Sequence, residues 1–132
     1  MDAHMTSYLI DTNILIYYLA GALQDEERSF IERVILESFN ISIITRIELL
    51  GWKGHTHEGL EKAKKLLDCA RCLPLTVAIA ESTIDIRSYA NISLPDAVIA
   101  ASALSLNAIL ITRNVKDFHD VPGLVIYNPF SK

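Results

Sequence analysis

Short runs of β-branched and other apolar residues alternate along this chain with longer segments of helical period, which restricts the fold to strands joined by helices. Four such stretches carry an acid inside them or at their edge. Tyr8 to Ile10 runs into Asp11, and Ile41 to Ile44 leads into Thr45, Arg46, Ile47 and Glu48. Leu94 and Pro95 introduce Asp96, and Ile109 to Ile111 is followed by Thr112, Arg113, Asn114 and Asp117. The pattern predicts an α/β fold with a central parallel sheet. The first strand is expected at Tyr8–Ile10, followed by a helix from Thr12 to Ala20 that Gly21 stops. An amphipathic helix over Asp25 to Phe39 turns Phe30, Ile31, Val34 and Ile35 to one face. The second strand, Ile41–Ile44, passes at Thr45 into a helix reaching Lys53, and Glu58 to Cys72 forms the next. Leu73–Leu75 is a short strand before a helix over Val77–Tyr89; Pro95 suits the first turn of another running to Asn107. Ile109–Thr112 is the fourth strand. Val125–Tyr127, bracketed by Pro122, Gly123 and Pro129, makes a final edge strand.

In a parallel sheet every strand's carboxyl end lies at one edge, where open α/β folds bind ligands. Asp11, Glu48 and Asp117 all follow strand ends. The helix opened by Asp96 must run antiparallel to the sheet to deliver the fourth strand, so its first turn starts at that same edge. Carboxylates gathered to about 5 Å repel by roughly 3 kcal/mol per pair at an effective dielectric of 20. A divalent cation is the natural compensation. Four acids without histidine or cysteine among them suit Mg²⁺ or Mn²⁺ better than Zn²⁺. Each acid also has a local explanation. Thr45 and Glu48 match a capping box, Asp96 complements a helix dipole, Asp11 caps a helix, and Asp117 suits a turn. Four such caps on one edge would still concentrate a negative field that calls for a metal.

The bulk properties bound the rest. A chain of 132 residues fits one domain, and 51% hydrophobic residues suffice for a buried core without disulfides. Met1 to Met5 reads as an expression leader, leaving residues 6–132 as the single domain. A net charge of −4 argues against broad, nonspecific coating of a duplex. No apolar run approaches the length of a membrane span, and no cationic start precedes an apolar signal core, so the expectation is a cytoplasmic protein with no membrane partner. Cys69 and Cys72 have the spacing of half a zinc site or a redox pair, but further ligands are lacking and the pair closes a helical pattern. They are expected to be bystanders.

The ordered set Leu9-Ile10-Asp11-Thr12-Asn13, Thr45-Arg46-Ile47-Glu48-Leu49, Leu94-Pro95-Asp96-Ala97-Val98-Ile99-Ala100-Ala101 and Leu110-Ile111-Thr112-Arg113-Asn114 with Asp117-Phe118 resembles the PIN-domain nucleases, and more closely the VapC-like ribonuclease toxins. The resemblance covers nearly the whole chain after Met5. It implies an αβα sandwich with a parallel sheet of about five strands, Mg²⁺ or Mn²⁺ dependence and endonucleolytic cleavage of RNA. It further implies a toxin of a toxin-antitoxin pair that inhibits translation. Asp11, Glu48 and Asp96 match the family's core metal carboxylates, and Asp117 its more variable fourth acid, which some members place where Asn114 stands here. Thr12 and Thr112 match polar positions that steady the metal water or the phosphate. The stretch from Arg87 to Leu94 is shorter than in several relatives.

Within that resemblance, metal-assisted hydrolysis is the expected chemistry, with Asp96 or Glu48 taking up the water's proton. Arg46, Arg113 and Lys116 flank the acids and are candidates to hold the RNA backbone, although ordinary solvated cations look the same in sequence. A cognate antitoxin is the expected protein partner. The Asp25–Phe39 helix with Leu49, Leu50 and Trp52 offers it an apolar groove, and core packing explains those residues equally well. A homodimer is a further partner to test. The rival readings are a PIN-like RNA-processing nuclease without a toxin role, a small-phosphate hydrolase of Rossmann type, and a non-catalytic binding module. The hydrolase lacks a Gly-rich or Walker loop after the first strand, and the intact acid set argues against the binding module.

Overall fold

A computed structural model describes residues 6–130; the leader expected at Met1 to Met5 lies outside them. Five strands form one parallel sheet: β1 (Tyr8–Ile10), β2 (Asn40–Ser42), β3 (Arg71–Leu73), β4 (Ile109–Ile111) and β5 (Ile126–Tyr127), in the order β3-β2-β1-β4-β5. The helices are α1 (Thr12–Leu19), α2 (Asp25–Glu37), α3 (Ile43–Leu50), α4 (His57–Asp68), α5 (Val77–Tyr89), α6 (Leu94–Ser105) and α7 (Val115–Phe118). No helix of the described residues is long and apolar enough to cross a membrane.

Two apolar clusters flank the sheet, as expected where helices cover both faces. One gathers Leu9 and Leu110 with α5 and α6; the other gathers Ile10, Ile41 and Ile111 with α1, α2 and α4. In α6 every residue from Ala97 to Ala103 is buried, so this helix is apolar all round and lies inside the fold rather than on it. Its side chains there are mostly small. Ser93 caps it, accepting from Asp96 N at 3.3 Å, and Pro95 occupies its first turn. After α1, Gly21 takes φ +69°, a left-handed conformation that ends the helix at little cost to glycine.

Several boundaries differ from the sequence expectation, and those around β2 and β3 bear on the site. The second strand stops at Ser42, whose hydroxyl accepts from Ile44 N at 3.1 Å and caps α3. The β-branched Ile43 and Ile44 had extended that strand, but a satisfied cap outweighs their propensity. Similarly, α4 ends at Asp68, and β3 begins at Arg71 rather than Leu73. Cys69 is therefore the residue ending α4, while Cys72 is a strand residue opposite Ile41. Both thiols are free.

Candidate active site at the sheet's carboxyl edge

Asp11 leaves the end of β1 and is 4% exposed. Its Oδ1 accepts from Thr12 N at 2.8 Å; its Oδ2 accepts from Thr112 Oγ1 at 2.7 Å and Asn13 Nδ2 at 2.9 Å. Burial pushes its carboxyl from 3.8 to about 6; the Thr112 hydroxyl and the Thr12 amide pull it down, and the charges of Asp96 and Glu48 push it up. Asp96, in the first turn of α6, is also raised, first by burial and further by the charges of Asp117 and Glu48, against the lowering effect of its hydrogen bonding to Ser93. Four carboxylates thus share one electrostatic neighbourhood. Among the described residues no lysine, arginine or histidine stands within 4 Å of any of the four.

Glu48 reaches this neighbourhood from α3. Because Ser42 caps that helix, Thr45 lies within it, and the capping-box explanation of Glu48 does not apply. The capping box of this fold joins Gln24 and Glu27 instead. Glu48 is exposed toward the cleft, with Oε1 2.7 Å from Thr12 Oγ1. Asn114, just before α7, also lines the cleft. Asp117 is exposed in α7 and does not line it, although its charge acts on Asp96. Thr112, fully buried, donates to Asp11 and accepts from Asn114 N at 3.0 Å, tying the loop after β4 to the end of β1.

The cleft measures about 660 Å³. Its floor carries Asp11, Glu48 and Asp96, and its walls include Ile16, Leu19, Leu49 and Trp52, with His55 and Lys62 beyond. The groove is therefore walled by α1, α3 and α4; α2 instead turns Ile31 and Val34 into the core.

The basic candidates are dispersed. Arg46 is 3.9 Å from Asp68 at the end of α4 and does not line the cleft. The Arg113 guanidinium lies against two mutually packed rings, 5.1 Å from the Tyr17 centroid and 4.6 Å from that of Phe130, and its backbone N–H donates to Asn13 Oδ1 at 3.3 Å. Lys116 is exposed on α7. Sequence reasoning gave no site role to Asn13 or Lys62, and gave Thr45 only that of a helix cap. Asn13 was detectable as the third residue of the Asp11-Thr12-Asn13 string, whereas nothing local marks Lys62.

The donors fit a hard cation by chemistry: carboxylate, hydroxyl and amide oxygens around a strongly negative floor. They surround it loosely, since among the described residues no three His, Cys, Asp or Glu groups already gather closely enough to enclose an ion.

A family model described as the PIN domain matches residues 8–124. The chain belongs to the PIN domain family. It is 30% identical to toxin FitB of Neisseria gonorrhoeae over 136 aligned positions, spanning 92% of this chain and 97% of FitB. A toxin-antitoxin complex from Klebsiella pneumoniae contains a chain of the same fold, 30% identical, with TM-score 0.75 over 96% of this chain and all 100% of that one. DNA-bound VapBC of Salmonella typhimurium superposes with TM-score 0.82 at 22% identity, covering 95% of this chain and 99% of that one. The PIN fold places Asp11, Glu48 and Asp96 of this chain around a single cleft.

Proposed function

We propose that the protein is a Mg²⁺- or Mn²⁺-dependent endoribonuclease, the cytoplasmic toxin of a toxin-antitoxin pair that inhibits translation by hydrolysing RNA. The observation that carries this reading is the negative floor of the cleft: a buried Asp11 held by three hydrogen bonds, charges from Asp96, Glu48 and Asp117, and no neighbouring cation among the described residues. Asp11, Glu48 and Asp96 would hold the metal, with Asp117 or Asn114 completing the rim. A divalent cation there supplies an acidified water and neutralises charge growing on the phosphate and the leaving oxygen. Asp96 or Glu48 would take up the water's proton at its carboxylate. Thr12 orients Glu48, and Thr112 orients Asp11. Arg113 and Lys116 stand on the β4–α7 side to hold phosphates; Arg46, facing Asp68, is left out of that set.

The partner reading draws on the cleft's apolar walls. Ile16 and Trp52 are 51% and 62% exposed, large apolar groups that suit the apolar face of an antitoxin segment. The toxin-antitoxin complex from Klebsiella pneumoniae supports that occupant by similarity.

Purified protein stripped by chelator should leave RNA intact and cleave it internally once Mn²⁺ is restored. Cleavage undiminished by chelation would refute metal dependence. Induction should arrest growth, and co-expression of a small DNA-binding protein encoded next to this gene should relieve the arrest; growth without arrest would reject the toxin role while leaving the nuclease reading intact.

A further inference from the structure

Thr45 is fully buried in the first turn of α3, and its Oγ1 lies 3.0 Å from Oγ1 of Thr12. The Thr12 hydroxyl is also 2.7 Å from Glu48 Oε1. A threonine hydroxyl has one proton. The shorter bond, to an ionised carboxylate, takes the proton of Thr12, because charge-assisted bonds are the stronger kind. Thr12 must then accept from Thr45, which gives the chain one direction: Thr45 to Thr12 to Glu48.

Other buried hydroxyls in helices donate to their own backbone, Thr83 to the Ile79 carbonyl at 2.7 Å and Ser102 to the Val98 carbonyl at 2.8 Å. Thr45 directs its hydroxyl across to α1 instead. Glu48 is exposed and, among the described residues, within 4 Å of no cation, while its recorded side-chain hydrogen bond is the one from Thr12. A long exposed glutamate samples many rotamers unless something holds it. The anchored end of this chain is Thr45, in the core; the free end is Glu48, in the cleft.

We infer that Thr45 is a positioning residue for Glu48, acting through the Thr12 hydroxyl to hold the carboxylate in a metal-binding rotamer. The inference rests on the proposed role of Glu48 as a ligand. Thr45→Val keeps the side chain's shape and removes its hydroxyl; Thr45→Ser keeps the hydroxyl. With Mn²⁺ alone as probe, Thr45→Val should weaken binding about fivefold, the scale of one net hydrogen bond. Its kcat on RNA should fall by a similar factor with KM unchanged, and Thr45→Ser should restore both. Impairment of Thr45→Ser equal to that of Thr45→Val would overturn the inference, because packing rather than the hydroxyl would then be responsible.

A second measurement needs no metal. In chelator, a double-mutant cycle between Thr45→Val and Glu48→Gln should show non-additive unfolding equilibrium constants, coupled about two- to fivefold. Strict additivity would overturn the chain. If Thr45→Val does not fold, Thr45→Ala takes its place in the cycle. A wild-type protein that ignores Mn²⁺ refutes the metal reading, and the metal-free cycle then decides the hydrogen-bond chain by itself.

Discussion

Replacing Asp11 by asparagine removes the most buried negative charge of the cleft while nearly preserving its shape. The Asp11 carboxyl, raised by burial from 3.8 to about 6, binds its proton more tightly in the folded than in the unfolded chain. The contribution of Asp11 to stability is therefore greatest at pH below 3.8, falls as pH rises through the window from 3.8 to about 6, and is flat above it. A difference of about 2 pK units corresponds to roughly 3 kcal/mol at 1.36 kcal/mol per unit. Against this gain, asparagine can accept at one position only. It keeps either the Thr12 amide or the Thr112 and Asn13 donors, and the misplaced amide costs about 1–2 kcal/mol. At pH 8 without metal, Asp11→Asn should thus be more stable than wild type by about 1–2 kcal/mol, a rise of roughly 4–7 °C in Tm for a domain of this size.

Thermal melts at pH 4, 6 and 8 in chelator measure the difference, and the gap should open between pH 4 and 6. A saturating divalent cation should reverse it. A cation at a hundred times its Kd adds about 2.7 kcal/mol to the wild type and far less to the variant, which lacks the buried ligand. Parallel pH profiles for the two proteins would refute the buried-charge reasoning. Equal stabilisation of both by Mn²⁺ would remove Asp11 from the ligand set.

Glu48→Gln should fold with a near-normal Tm, since Glu48 caps no helix, yet cleave RNA at least about a hundredfold more slowly, as expected for loss of one positioned catalytic group; wild-type cleavage at saturating Mg²⁺ would place Glu48 outside the site. Phe130→Ala should remove one of the two rings that hold the Arg113 guanidinium and raise KM for RNA several-fold, on the scale of about 1 kcal/mol for a cation–π contact, with little effect on Mn²⁺ affinity. Replacing Cys69 and Cys72 by serine should leave activity nearly intact. In the native protein iodoacetamide should label exposed Cys69 before Cys72, whose thiol burial pushes up, as peptide mass spectrometry would read.

Asp11 and Asp96 were readable in the sequence because topology alone sends the end of β1 and the start of α6 to one edge. Glu48 was readable for an incomplete reason. It followed a strand in the pattern, but its placement depends on Ser42 starting α3 early enough that Thr45 and Glu48 share the face toward α1. One helical position away, Arg46 points elsewhere and meets Asp68 at the end of α4, a contact separated by 22 residues that no local pattern encodes. Lys62 enters the cleft wall because α4 packs against α3, again a tertiary fact. Asn114 and Asp117 are separated by one helical turn: Val115 to Phe118 forms α7 around the buried Phe118, Asn114 lines the cleft, and exposed Asp117 acts on Asp96 through its charge.

What joins these pieces is a polar seam between chain segments about a hundred residues apart. Thr112 Oγ1 donates to Asp11, and Asn13 bonds both the Asp11 carboxylate and the amide of Arg113. Strands β1 and β4 pair directly, and Asp11 N donates to the Ile111 carbonyl at 2.9 Å. The seam thus continues the ladder with side chains where the strands end. Buried polar groups in such a network are satisfied only together, so losing one exposes the others to the cost of an unmade bond. Asp11 is therefore held in place by the same β1–β4 pairing that organises the sheet, and the acidic floor exists only once that long-range pairing has formed.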